Sequence, residues 1–393
     1  MKRAALALAV CAGLSLTGCF SFKRSAPKPG LTYVGSKPVV LQARLVGNVL
    51  VVETKWDKFG PYHFIIDTGS SVTLVSPDLA ARYSRGEVPP EDEPRVQVRS
   101  AECAKVLLRP VTLKSIQLGS ARFEEAPALI YDCTDLTSQF GVPIDGVLGF
   151  PLFRKVVLTL DYPHERVILR SKLAEDDLPA EALLFSNPDK TPIIDIRLGG
   201  RGLVALIDSG SSEAFEINPA GLDPKFLSGP VDGPVVNTLA GDRPSRVGRI
   251  DGVIHVGTLD VANPLAEVTD ELSSIGGGFL RHFIVTFDQE HDEAFLQRDS
   301  PDEVSIPALR GTGMSFRKTP AYWKVVGVMP GSPAAEAGVG VGDLVSRING
   351  EPVAGWGPRR AERLTEGASS VQFTFIEGTR ESVKTLKVVD LVP

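Results

Sequence analysis

The sequence predicts a mainly β protein: two pseudo-symmetric β-barrel lobes in one chain, followed by a small C-terminal α+β domain. Three observations predict it. The apolar and β-branched runs are short and are interrupted by 38 glycines and 30 prolines, the punctuation of strands and turns rather than of long helices. One motif then occurs twice. Phe64-Ile65-Ile66-Asp67-Thr68-Gly69-Ser70-Ser71 and Leu203-Val204-Ala205-Leu206-Ile207-Asp208-Ser209-Gly210-Ser211-Ser212 each run an apolar strand into an aspartate and a sharp turn. Two further blocks recur in the same order. Ile116-Gln117-Leu118-Gly119 matches Ile254-His255-Val256-Gly257, and residues 152–161 match residues 279–288. Three blocks repeated in one order imply a duplicated unit.

The elements follow in chain order. The 393 residues suffice for two or three domains, and 43% hydrophobic with 23% charged residues is ordinary globular composition. The net charge is −6 with no basic run, so no nucleic-acid partner is expected. Residues 1–18 read as a secretory signal: Lys2 and Arg3 precede an apolar stretch too short to span a bilayer comfortably. It ends Leu16-Thr17-Gly18-Cys19, which resembles the bacterial lipobox. That resemblance implies lipid on Cys19 and a membrane anchor. Phe20, rather than an aspartate, favours the outer membrane, facing the periplasm. Residues 19–37 read as a tether.

The first lobe is placed at 38–172. Two apolar runs flank Gly47-Asn48, a hairpin signal. Residues 62–66 form the strand that delivers Asp67. Cys103 and Cys133 remain once Cys11 and Cys19 are set aside; they fit either a periplasmic disulfide or two separate buried thiols. The second lobe is placed at 182–298. None of the five histidines stands at metal-ligand spacing, so neither metal nor cofactor is expected.

The doubled motif carries the chemistry. Gly69 permits the turn and close approach of another backbone. Thr68 and Ser70 bring hydroxyls beside a carboxylate. If the halves pack about a two-fold axis, Asp67 and Asp208 face each other and cannot both ionise readily. At this point the sequence resembles the aspartic proteases, and specifically the retropepsin-like group. The resemblance implies a catalytic pair, Asp67 and Asp208, on turns built by Gly69 and Gly210. It further implies that Thr68 and Ser209 tie the turns together, and that Ser70 and Ser211 donate to the carboxylates. Residues 144–150 resemble the family's threading segment, with Leu148-Gly149 beneath the catalytic turn. Its counterpart at 273–279 keeps only Ile275-Gly276 of that pattern. The hairpin expected over substrate falls within 96–118. No tyrosine lies between Tyr83 and Tyr131, a departure from pepsin-like enzymes that agrees with the retropepsin-like branch.

Residues 313–393 resemble a bacterial PDZ domain. Ser332-Pro333 caps and opens a short helix, Gly338 ends it, and Ile348 leads into an Asn349-Gly350 turn. Such domains hold an extended peptide by strand addition and capture a terminal carboxylate on a backbone loop. The resemblance puts that loop at Pro320, Ala321, Tyr322 and Trp323, although Tyr322-Trp323 fit core filling equally well. The expected function is an aspartic endopeptidase with peptide or protein substrates and PDZ-mediated recruitment. The alternative is a catalytically inactive peptide-binding scaffold.

Overall fold

The computed structural model describes residues 30–88, 90, 96–99, 105–173, 181–188, 190–238, 241–298, 300–357, 360, 363–365 and 367–393. The signal segment, Cys19, most of the tether and Cys103 lie outside them. The fold is mainly β, as expected. Gly47 and Asn48 both take positive φ, +56° and +65°, the geometry of a type I′ turn. They join Val39–Val46 to Val49–Trp56 with Val46 opposite Val49.

Two strands cross at the centre of the molecule. Val157–Asp161 and Ile284–Asp288 pair antiparallel, with Thr159 opposite Thr286. These threonines are equivalent positions of the repeated block, and their hydroxyls hydrogen-bond at 2.9 Å. An antiparallel pair centred on equivalent residues is a local two-fold axis. The duplication read from sequence is therefore a spatial symmetry of the described residues.

Each lobe builds the same support for its aspartate. Phe59–Asp67 runs parallel to Gly146–Gly149, with Asp67 opposite Gly149. Arg201–Asp208 runs parallel to Ser273–Gly276, with Asp208 opposite Gly276. The glycines are required. A Cβ on Gly149 would lie 2.2 Å from the Val72 carbonyl oxygen, and one on Gly276 2.4 Å from that of Glu213. The serines that dilute the second threading segment do not prevent the strand: Ser273 and Ser274 are both 3% exposed. Each lobe also carries a long hairpin. It is Val96–Arg99 with Lys105–Leu118 in the first lobe and Phe226–Thr238 with Gly241–Ile250 in the second.

A separate sheet orders Met314–Lys318, Trp323–Val328, Leu344–Ile348, Ser370–Glu377 and Arg380–Lys387 side by side over its own apolar core. Ser332 caps the helix Pro333–Glu336 by accepting from the Ala335 N–H at 3.3 Å. Asn349 and Gly350 form the expected turn with φ of +51° and +79°. This is the C-terminal domain anticipated from the sequence.

The pairing of Cys103 with Cys133 lies outside the described residues, since Cys103 is not among them; Cys133 itself is a buried thiol. It stands at the start of the helix Thr134–Phe140, its Sγ–H 3.6 Å from the Tyr131 carbonyl oxygen, among apolar side chains such as Val46, Val49 and Phe140. Burial pushes the thiol up to about 12, away from the reactive thiolate form.

Candidate active site

The two aspartate turns meet at the lobe boundary through a reciprocal set of buried hydrogen bonds. The Thr68 hydroxyl donates to the Ile207 carbonyl at 2.7 Å and accepts the Ser209 N–H at 2.9 Å. The Ser209 hydroxyl donates to the Ile66 carbonyl at 2.8 Å and accepts the Thr68 N–H at 2.9 Å. Both side chains are fully buried. Each satisfies a donor and an acceptor belonging to the opposite lobe, so neither turn is complete alone.

The same grip lays each carboxyl over the other lobe's glycine. A Cβ on Gly69 would sit 2.4 Å from the Asp208 Cγ, and one on Gly210 would sit 2.5 Å from the Asp67 Cγ. No side chain fits between turn and carboxyl, which is why both positions are glycine. The two carboxyls are close enough for each to shift the other's titration. Two ionised carboxylates have only acceptors, so a bond between them would need a proton on one.

The sites differ in what holds them. Burial pushes Asp67 up to about 6, opposed by the hydrogen bond from Asp208 and by the N–H groups of Ser70 and Gly69. Asp208 rises further, to about 8, first through burial and then through the charge of Asp67. The Gly210 and Ser211 N–H groups, 2.8 and 3.2 Å from its Oδ1, only partly offset this. Burial and mutual repulsion thus raise both carboxyls, Asp208 the further, so the two do not readily ionise together.

Ser70 and Ser211 do reach the carboxylates, but through the backbone rather than the expected hydroxyls. The Ser70 N–H donates to Asp67 Oδ1 at 3.0 Å, while its hydroxyl turns to the Val72 carbonyl at 2.8 Å. The Ser211 hydroxyl donates to Glu216 Oε1 at 2.7 Å. Serine hydroxyls readily satisfy a local backbone or side-chain acceptor, and here that local bond prevails.

The second lobe also contains charges that the motif alone did not reveal. Glu213 and Glu216 occupy the positions of Val72 and Val75 in the first lobe, counted from each aspartate. Glu216 stands opposite Glu267 where Val75 stands opposite Ile130. Glu267 is 1% exposed and is ion-paired with Arg243 from the second-lobe hairpin. Burial and the neighbouring Glu267 and Glu216 push Glu213 up to about 8. The available signal was a Glu at each of two positions where the repeat partner has valine.

Residues 52–152 match the aspartyl protease model, and residues 324–388 match the PDZ model. The chain therefore carries an aspartyl protease-like segment in its first lobe and a C-terminal PDZ domain. A search of curated proteins finds no match to the chain. The protease match ends at Leu152, so Asp208 and its turn lie outside it.

The PDZ residues singled out from sequence separate into two groups. Pro320, Ala321 and Tyr322 form the turn between Met314–Lys318 and Trp323–Val328, closed by the Thr319 N–H donating to the Tyr322 carbonyl at 3.0 Å. Trp323 is 3% exposed in the PDZ core, 5.5 Å from the Phe316 ring. It is a packing residue. The strand at the edge of the sheet is Met314–Lys318, so the backbone leading into it is Gly311–Gly313. The expected capture loop at 320–323 instead follows that strand.

Proposed function

We propose that the chain is an aspartic endopeptidase in which Asp67 and Asp208 hydrolyse a peptide bond with one water and no covalent intermediate. The observation that carries this reading is the reciprocal placement of each carboxyl on the opposite glycine. Ionised Asp67 takes a proton from water as its oxygen bonds to the scissile carbon. Asp208 gives its proton to the carbonyl oxygen, neutralising charge as it develops. Collapse of the gem-diol breaks the C–N bond. The amine leaves with the proton held by Asp67, and Asp208 recovers one from the diol. The atoms balance, and the pair returns to its single-proton state.

Peptide binding on the PDZ domain would raise the local concentration of a tethered substrate at the dyad. The signal segment ending at Cys19 adds, in the same reading, a lipid anchor and a periplasmic site of action. The test is hydrolysis of a mixed peptide library by the full chain, with and without a pepstatin-like transition-state mimic. The expected result is internal cleavage that the mimic suppresses. A chain that neither cleaves the library nor binds the mimic is the inactive scaffold instead.

A further inference from the structure

The PDZ domain is seated on both lobes, and one strand, Met314–Lys318, touches both. Along Met314–Lys318, Met314 and Phe316 pack toward the PDZ core, so the alternate residues Ser315 and Arg317 face away from it. Ser315 Oγ accepts the Val235 N–H of the second-lobe hairpin at 2.9 Å. The Val235 side chain covers Gly327, the cross-strand partner of Ser315; a Cβ there would lie 2.4 Å from Val235 Cγ2. Arg317 reaches two elements at once. It pairs with Asp135 on the first-lobe helix Thr134–Phe140. It also grips Asp242 on the second-lobe hairpin through two bonds of 2.9 and 3.3 Å. At the far end, the Arg249 Nε–H of the same hairpin donates to the Pro393 oxygen at 2.9 Å.

Met314–Lys318 is the terminal strand of its sheet, and no described strand pairs with its outer edge. Strand addition uses such an edge. Its inner ladder is irregular: one extra residue, Val326, lies between the Ser315–Gly327 and Phe316–Val325 pairs, a bulge at the anchoring serine. A peptide hydrogen-bonding along the outer edge constrains that backbone, and any adjustment passes to Ser315 and Arg317. From there the hairpin leads to the dyad. Val247 and Arg249 pair with Glu267 and Leu265, Glu267 stands opposite Glu216, and Glu216 accepts from Ser211, whose N–H holds Asp208.

We propose that the PDZ domain is a peptide-responsive strap across the two lobes: an extended peptide with a free carboxyl end, added to the edge of Met314–Lys318, alters the catalytic pair's surroundings through Arg317. This deepens the protease reading and depends on it only for the rate measurement.

The probe is a decapeptide selected from a random library with free C-termini against the full-length Asp67→Asn chain. Two readouts are taken: amide exchange over 226–250 and 134–140, and hydrolysis of a separate short peptide too small to reach the PDZ edge. In the wild type, the decapeptide is expected to change exchange at Val235 and its hairpin neighbours, and to change the hydrolysis rate, each by about fivefold or more. In Arg317→Ala and in Asp242→Asn the decapeptide still binds, but both responses fall away. Failure to select any decapeptide, exchange changes confined to 313–393, or variants that respond like wild type would each overturn the proposal. An exchange response without hydrolysis by any form retains the strap and removes the protease reading.

Discussion

Asp208→Asn and Asp67→Asn are each expected to lower peptide hydrolysis by about three orders of magnitude or more, the scale of losing a positioned acid or base. An amide in place of the Asp208 carboxyl cannot surrender a proton to the carbonyl oxygen. An amide in place of the Asp67 carboxylate cannot accept one from water. The wild-type rate should follow a bell-shaped pH profile. It falls as pH drops below about 6, where Asp67 becomes protonated, and falls again above about 8, where Asp208 loses its proton. Stability runs with the opposite demand. Both folded-state values lie above the ordinary carboxyl value near 4, so the folded chain holds more protons than the unfolded one across that window. Stability is therefore lost as pH rises from about 4 toward 8. Asp208→Asn removes Asp208's share of this penalty, the larger one. Denaturant melts should show it gaining stability over wild type at pH 8 and matching it below pH 4. Wild-type rates in either variant would break the assignment.

Thr68→Val is expected to be the most damaging change that leaves both carboxyls in place. Valine keeps the shape but strands the Ile207 carbonyl and the Ser209 N–H in a buried contact. Leaving two such groups unpaired costs about 2–4 kcal/mol. It also loosens the contact that sets one aspartate against the other, so kcat should fall at least about tenfold. Ser70→Ala supplies the contrast. Its hydroxyl serves only Val72, donating to the carbonyl and accepting the N–H at 3.4 Å, and its backbone N–H still holds Asp67, so it should cost about 1 kcal/mol or less and leave the pH profile in place. Urea midpoints and kcat for the two variants check both statements. A Ser70→Ala loss equal to that of Thr68→Val would return the hydroxyl to the carboxylate.

What was legible in the sequence was whatever local chemistry imposes. Gly69 and Gly210 announce turns that accept no side chain, Gly47-Asn48 and Asn349-Gly350 announce hairpins, and the repeated block ending at Asp161 and Asp288 announces the axis that passes between Thr159 and Thr286. What stayed hidden depends on partners far along the chain. Nothing near Arg317 in sequence indicates that it joins Asp135 to Asp242. The direction of the Ser70 hydroxyl was decided by competition between two nearby acceptors, which a motif does not rank. Trp323 was ambiguous because an aromatic beside a turn serves binding and packing equally well; only its burial separates the two. Cys133 sits in an apolar cluster that compartment and cysteine count do not identify.

The most direct measurement is a carbon-13 NMR titration of the aspartate carboxyls in the full chain, with resonances assigned from the two single Asp→Asn variants. The account predicts one carboxyl titrating well above the ordinary range in the wild type, assigned to Asp208, and moving downward in Asp67→Asn once the facing charge is gone. Two carboxyls that both titrate near 4, unaffected by each other's replacement, would contradict it.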